Sequence, residues 1–211
     1  MWQLWGDRLA LKSAKSCVTC PIKVGVIAVI KHFLAIALAS LMGTSANAQD
    51  IRWQSEKMTP GAYVSINQSQ GGMIHHVYTG RRGKAFVLTS YRGAKPGGTP
   101  AFETHLDKDG NYVRWVRPDG FEIRYRPHDC TRTLGQCSYK EIHSDGTRKQ
   151  RTRVTEATKK GLAFKEYDEN GTFLFGGKMN LEEGGWAGNG VIDSAQGKQR
   201  FTLKKRGVLA N

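Results

Sequence analysis

Proline, cysteine and long apolar runs are all scarce in this chain of 211 residues, which has 6 prolines and 4 cysteines. So few cysteines in a chain of this length exclude a small fold built around disulfides. The 25 glycines follow no triplet period, which excludes collagen and indicates many tight turns. The hydrophobic content of 39% argues against full disorder, and the length suits one domain or two small ones.

Sequence signatures of catalysis and of metal binding are lacking as well. The chain contains no G-x-S-x-G elbow, no Walker or Rossmann glycine pattern, no H-E-x-x-H and no EF-hand loop. It also has no recognisable nucleic-acid-reading motif, and few aromatic residues lie on its basic segments. The sequence therefore favours a protein that is not an enzyme and needs no metal or other cofactor, and it disfavours a nucleic-acid partner.

The first 48 residues have the pattern of an export signal. Phe33–Leu41 reads FLAIALASL, follows Lys31 and precedes Ala46-Asn47-Ala48, a typical cleavage site. The uninterrupted apolar run is shorter than the ~20 residues that a membrane-spanning helix needs. We predict cleavage after Ala48, which leaves no stable membrane anchor and a periplasmic or secreted protein.

Residues 29–48 alone make a complete leader, so we hypothesise that translation starts near Val29 and that residues 1–28 are not made. The Cys17-Val-Thr-Cys20 motif would then have no function. The first 48 residues carry five Lys or Arg and one acid, so the net charge of +14 falls to +10 on the remaining 163 residues. In an exported chain, Cys130 and Cys137 predict one disulfide, with metal-binding thiols as the alternative.

Residues 49–211 predict a single all-β domain, because alternating apolar and polar residues are interrupted by turn dipeptides. Four of these combine Asp or Asn with Gly, at Asp109-Gly110, Asp119-Gly120, Asp145-Gly146 and Asn170-Gly171, and they indicate two-residue hairpin turns. Short links between so many strands favour an antiparallel meander that closes into a β-barrel, with a two-sheet β-sandwich as the alternative. The predicted strands are Ala62–Asn67, Met73–Thr79, Ala85–Tyr91, Ala101–Leu106, Tyr112–Arg117, Phe121–Arg126, Cys137–His143, Lys149–Thr155, Leu162–Tyr167, Thr172–Lys178, Trp186–Ile192 and Gln199–Lys204.

The hairpin around Asp119-Gly120 gives the most specific local prediction. With a two-residue turn, Arg117 pairs with Glu122, Val116 with Ile123 and Trp115 with Arg124. Trp115 would then lie on an arginine-rich face of the sheet, where stacking on Arg124 contributes about 0.5–1 kcal/mol.

Basic residues are concentrated in two segments. Residues 112–153 hold ten Lys or Arg against five acids, and residues 198–206 add five bases with no acid. We therefore expect a binding protein of the cell envelope whose partner is an anionic envelope polymer or a small amphipathic ligand. The predicted ligand-binding residues are Arg114, Trp115, Arg117, Arg124, Arg126 and Trp186.

Two other functions stay open. An inhibitor of an extracellular hydrolase or an envelope assembly factor would use an exposed loop such as Arg92–Thr99 to contact a protein partner. A hydrolase acting on a polysaccharide would need two convergent carboxylates. Glu166 and Asp168 share a strand face, but their position beside the Asn170-Gly171 turn favours exposed hairpin chemistry.

The glycines around Trp186 favour a bulged strand with this tryptophan in the core, rather than a cavity wall.

Overall fold

The structure, a computed structural model, describes residues 53–210. The predicted signal region 1–48, the hypothesised start near Val29 and the Cys17/Cys20 motif lie outside the described residues. In the described part of the chain, no helix combines the length and the apolar character needed to cross a membrane.

Twelve β-strands account for most of the described residues, and each of the twelve predicted strands is present with its ends displaced by at most four residues. Two short 3-10 helices, Ser55–Lys57 and Glu183–Gly185, are the helical segments between residues 53 and 210. The strands are β1 (Ala62–Gln68), β2 (Gly72–Arg82), β3 (Ala85–Arg92), β4 (Pro100–Leu106), β5 (Tyr112–Val116), β6 (Glu122–Arg126), β7 (Gly135–His143), β8 (Arg148–Thr158), β9 (Gly161–Tyr167), β10 (Phe173–Leu181), β11 (Ala187–Ser194) and β12 (Gly197–Val208).

The strands form a closed antiparallel barrel, which confirms the favoured architecture over the two-sheet sandwich. Each strand pairs with the next in the chain, and β12 returns to pair with β1. Closure leaves no unpaired edge strand, and this removes the main route by which β-sheet proteins pair with other chains.

One set of alternating side chains faces the barrel interior all the way round. Trp115 packs against the apolar core and lies opposite Ile123, which is itself opposite His143 on β7. The same face continues through β7, β8 and β9 to Phe164. Phe164 lies opposite Gly177 on β10, and Gly177 lies opposite Ile192 on β11, which packs against the same core. Because directly opposite residues share a face, the alternate residues point outward.

The interior core is apolar on the β1–β4 side and at β12. Two buried clusters form it, and Trp186 packs against both. Gly190 lies opposite Phe201, and a Cβ at Gly190 would overlap the Phe201 ring, so glycine lets this ring pack across the sheet. The clusters consist of Trp53, Tyr78, Phe86, Leu88 and Leu106, and of Val64, Ile66, Ile74, Phe102 and Phe201.

The four Asp/Asn-Gly turns are in the predicted places but are one residue longer than predicted. At the β5–β6 turn, the Phe121 carbonyl accepts the Arg117 N–H and the Arg117 carbonyl accepts the Gly120 N–H. The turn therefore has three residues, 118 to 120, and Gly120 supplies the positive φ of 84°. The same hydrogen-bond pattern closes the turns ending in Gly110, Gly146 and Gly171.

The extra turn residue makes the predicted register of β5 and β6 wrong. Trp115 lies opposite Ile123, and Arg114 lies opposite Arg124. When the pairing of two strands shifts by one residue, each side chain of one strand lies beside partner residues that point to the opposite face of the sheet. Trp115 therefore lies inside the barrel and not on the arginine-rich face.

The two ends of the barrel differ. At one end the loop between β6 and β7 is closed by the predicted disulfide, Cys130–Cys137, and Arg132 of this loop reaches the Gly185 carbonyl at 2.8 Å. The Arg132 guanidinium lies over the Trp53 ring, which contacts Trp186 edge-on at 5.3 Å between centroids. We call this the plugged end. The other end, here the turn end, carries the Asp119-Gly120, Asp145-Gly146 and Asn170-Gly171 turns and the longer link between Arg92 and Pro100.

Candidate functional site

Five cations form a basic face on the outside of β5 to β8. This basic face consists of Arg114, Arg124, Arg126, Lys140 and Arg148, with Glu122 as the carboxylate among them. All are at outward positions, because Arg114 and Arg124 alternate with the inward Trp115 and Ile123. The Arg124 side chain is 56% exposed, and Arg126, Lys140 and Arg148 are exposed as well.

Cations lie directly opposite one another at two adjacent positions of the basic face. Arg114 is opposite Arg124, and Arg126 is opposite Lys140. Like charges opposite each other on a sheet are destabilising. Glu122 relieves the first pair, since it binds Arg114 and accepts a 2.7 Å hydrogen bond from Arg124 Nε. Within residues 53–210, no ion pair or hydrogen bond involves the side chain of Arg126 or Lys140.

The other predicted ligand-binding residues are not part of this face. Arg117 directly precedes the β5–β6 turn, and its guanidinium binds Asp119 and lies over the Phe121 ring at 4.8 Å. Trp115 and Trp186 are half-buried in the core, and the Trp115 ring lies 5.6 Å from that of Phe102. The structure thus brings three of the six together, Arg114, Arg124 and Arg126.

A second group of polar residues lies on the inner face of β6 to β9. We call it the inner polar cluster, and it consists of Tyr125, Tyr139, Glu141, Arg151, Arg153 and Glu166. Two ion pairs organise it: Arg151 Nη2 lies 3.1 Å from Glu141 Oε2, and Arg153 Nη1 lies 3.3 Å from Glu166 Oε2.

The Arg153–Glu166 pair is the most enclosed part of the inner polar cluster. The Arg153 side chain is 9% exposed and that of Glu166 is 3% exposed. Arg153 also donates to Thr155 Oγ1 at 3.2 Å and lies over the Phe164 ring at 3.9 Å. Burial raises the pKa of Glu166 against the opposing effects of the Arg153 charge and of a hydrogen bond from Tyr139. Burial likewise raises the pKa of the Tyr139 hydroxyl.

The sequence did not predict that Glu166 is buried inside the barrel. Its position near the Asn170-Gly171 turn indicated exposed hairpin chemistry, but Glu166 is 2% exposed. Its arginine partner lies opposite it on β8. The signal that could have found it is the inward alternation of Leu162, Phe164 and Glu166.

The adjacent histidines His75 and His76 point to opposite faces, as expected on a strand. His75 Nδ1 shares a 2.7 Å hydrogen bond with Ser65 Oγ, while His76 Nδ1 shares one of 2.8 Å with Ser90 Oγ. His76 also lies 6.2 Å from the Phe102 ring, which places it in the interior. Burial, with a smaller effect of the neighbouring His75, lowers the pKa of His76 from 6.5 to about 4.

Comparison with known proteins finds no match for this chain among protein-family models, curated proteins or solved structures.

Proposed function

We propose that this protein is an exported, non-catalytic binding protein of the cell envelope that recognises an anionic polymer through its basic face. The export signal predicted at residues 33–48 supports a periplasmic or secreted location. The Cys130–Cys137 disulfide supports the same location, because disulfides persist in oxidising compartments.

The observation that carries the proposal is the pair of opposed cations at adjacent positions, Arg114 with Arg124 and Arg126 with Lys140. Neighbouring strands are about 4.8 Å apart, so these charges repel one another in the free protein. Glu122 neutralises part of this charge and leaves Arg126 and Lys140 available. A polymer with closely spaced negative charges would remove the repulsion on binding, which favours such a partner over a neutral one.

The test is binding of the protein to polygalacturonate, an acidic polysaccharide, with neutral dextran as the comparison. We expect binding to polygalacturonate at low ionic strength that weakens as salt is added, because the Debye length falls to about 10 Å at 0.1 M. Binding that is indifferent to salt, or equal binding to dextran, would contradict the proposal.

A matched pair of variants locates the binding surface. Arg126→Gln with Lys140→Gln removes two charges from the basic face, and we expect about tenfold weaker binding at low salt. Lys159→Gln with Lys160→Gln removes two exposed charges from the β8–β9 turn and should leave binding within about twofold. Equal losses in the two double variants would mean that net charge, and not the basic face, is recognised.

A further inference from the structure

The sequence contains two Asn-X-Ser/Thr motifs, the acceptor pattern for asparagine-linked glycans, and neither takes part in the function proposed above. One is Asn170-Gly171-Thr172, in the turn between β9 and β10, and the other is Asn67-Gln68-Ser69, which begins at the end of β1. Such a glycan is bulky and is carried on a surface loop of an exported protein. The setting of each asparagine therefore decides whether its motif can be used.

The Asn170 motif lies on an exposed hairpin turn at the turn end. Asn170, Gly171 and Thr172 are all exposed, and Gly171 has a positive φ of 77°. Asp168 Oδ1 accepts the backbone N–H of Asn170 at 2.9 Å and that of Thr172 at 2.8 Å. The turn is thus held by its backbone and by Asp168, and it does not depend on the side chains of the motif.

The two side-chain groups that define this motif are free. Within residues 53–210, no hydrogen bond or ion pair involves the carboxamide of Asn170 or the hydroxyl of Thr172. The motif requires the amide of its first residue and the hydroxyl of its third. A transferase can therefore reach both groups without breaking a contact of the folded barrel.

The Asn67 motif has the opposite setting. Asn67 lies opposite Met73 of β2 and Thr202 of β12, so its backbone is held extended between two neighbouring strands. Ser69 Oγ accepts the backbone N–H of Arg200 at 2.9 Å, and the Ser69 N–H donates to the Arg200 carbonyl at 2.8 Å. Use of this motif would require β1 to separate from β12, and we expect Asn67 to stay unmodified in the folded protein.

An exposed aromatic ring beside the Asn170 turn supports the same site. Phe173 begins β10 at an outward position opposite Tyr167, and it is 46% exposed. The two rings contact each other edge-on, with 6.1 Å between their centroids. A sugar attached to the nearby Asn170 can cover the Phe173 ring, and removing apolar surface from water is favourable.

We propose that Asn170 is an N-glycosylation site whose donor is an oligosaccharide linked to a lipid diphosphate. In the transfer, Asn170 Nδ2 bonds to C1 of the first sugar while the bond from C1 to the diphosphate oxygen breaks. The amide nitrogen gives up one proton to the transferase, and the lipid diphosphate leaves with the electron pair of the broken bond. The proposal rests on the export of the chain, which is part of the proposed function, and it does not involve the basic face.

The test is expression of the full chain in a bacterial host that carries a periplasmic oligosaccharyltransferase and its lipid-linked oligosaccharide. Intact-mass measurement of the protein recovered from the periplasm should show one glycan per chain. Tandem mass spectrometry of its peptides should place that glycan on Asn170 and find Asn67 unmodified. Exported protein without a glycan, or with its glycan on Asn67, would overturn the proposal.

Matched variants separate the two motifs. Thr172→Ala keeps Asn170 and removes only the hydroxyl, so the glycosylated fraction should fall at least tenfold, and Thr172→Ser should restore most of it. Ser69→Ala makes the corresponding change in the Asn67 motif and should leave the glycosylated fraction unchanged. An undiminished fraction in Thr172→Ala would overturn the assignment to this motif.

The same preparation distinguishes failure of this proposal from failure of the proposed function. A chain that keeps its leader and stays in the cytoplasm would contradict export, and with it both proposals. A chain that is exported and binds polygalacturonate but carries no glycan would contradict the Asn170 site alone. A glycosylated chain that does not bind polygalacturonate would contradict only the role of the basic face.

Discussion

Trp115 lies directly opposite Ile123 on the inner face of the barrel, although a two-residue turn would have placed it opposite Arg124. The difference arises from one turn residue, since the loop comprises residues 118 to 120. Trp115 consequently packs against Phe102, and Arg124 is left with Glu122 on the outside. The predicted arginine and tryptophan face is therefore divided between an outer basic face and the apolar core inside the barrel.

The turn glycine that sets this register should be sensitive to substitution. Gly120 has a φ of 84°, and a Cβ there meets no atom within 4 Å, so the cost of substitution is conformational and not steric. We expect Gly120→Ala to lower the free energy of unfolding by about 1 kcal/mol, as measured by urea denaturation. Gly120→Asn should cost less, because asparagine tolerates the left-handed region. The reverse order of the two variants would contradict this reading of the turn.

Removing one partner of the buried pair Arg153–Glu166 should lower the free energy of unfolding much more than removing both partners. Arg153→Met leaves the Glu166 carboxylate without its guanidinium, and we expect a loss of about 3–5 kcal/mol in urea denaturation. Adding Glu166→Leu removes the stranded carboxylate, so the double variant should recover most of that loss. Additive losses in the two single variants would show that the residues do not interact.

Acidification should destabilise the barrel through His76. The pKa of this histidine is about 4 in the folded protein against 6.5 for an unperturbed histidine. Between these two pH values the unfolded chain binds a proton at His76 that the folded chain does not bind. The free energy of unfolding therefore decreases as the pH falls from about 6.5 to about 4. The loss reaches about 3 kcal/mol, since one pKa unit corresponds to 1.36 kcal/mol.

Comparison of the pH dependence of unfolding in two variants isolates this effect. His76→Asn keeps a side-chain partner for Ser90 and removes the titrating ring, so it should flatten the stability profile between pH 4 and 6.5. His128→Asn, in the loop after β6, serves as the matched histidine control and should retain the slope. An unchanged slope in His76→Asn would assign the pH dependence to other groups.

The disulfide should stabilise the plugged end. Cys130 and Cys137 close a short loop, and Cys130 is 2% exposed. We expect Cys130→Ser with Cys137→Ser to lower the free energy of unfolding by about 2–3 kcal/mol, because the loop is no longer constrained in the unfolded chain. Thermal unfolding followed by circular dichroism measures this loss. A melting temperature equal to that of the parent would show that Arg132 and Trp53 hold this end without the disulfide.

The sequence by itself determined the strands, the positions of the turns and the disulfide. Alternation of apolar and polar residues is a local property, and Asp-Gly or Asn-Gly dipeptides mark the chain reversals between strands. Short links between sequential strands also limit the topology to a meander, whose twist favours closure. The pairing of Cys130 with Cys137 followed because few cysteines lie outside the predicted leader.

Register and burial were decided by the tertiary structure. Two- and three-residue turns are both compatible with Pro118-Asp119-Gly120, yet they place Trp115 on opposite faces. Likewise, alternation put Glu166 and Asp168 on one face without showing whether that face met solvent or the interior. Closure of the barrel settles this, because it turns this face of β9 inward, where Glu166 pairs with Arg153 of the neighbouring β8 away from water.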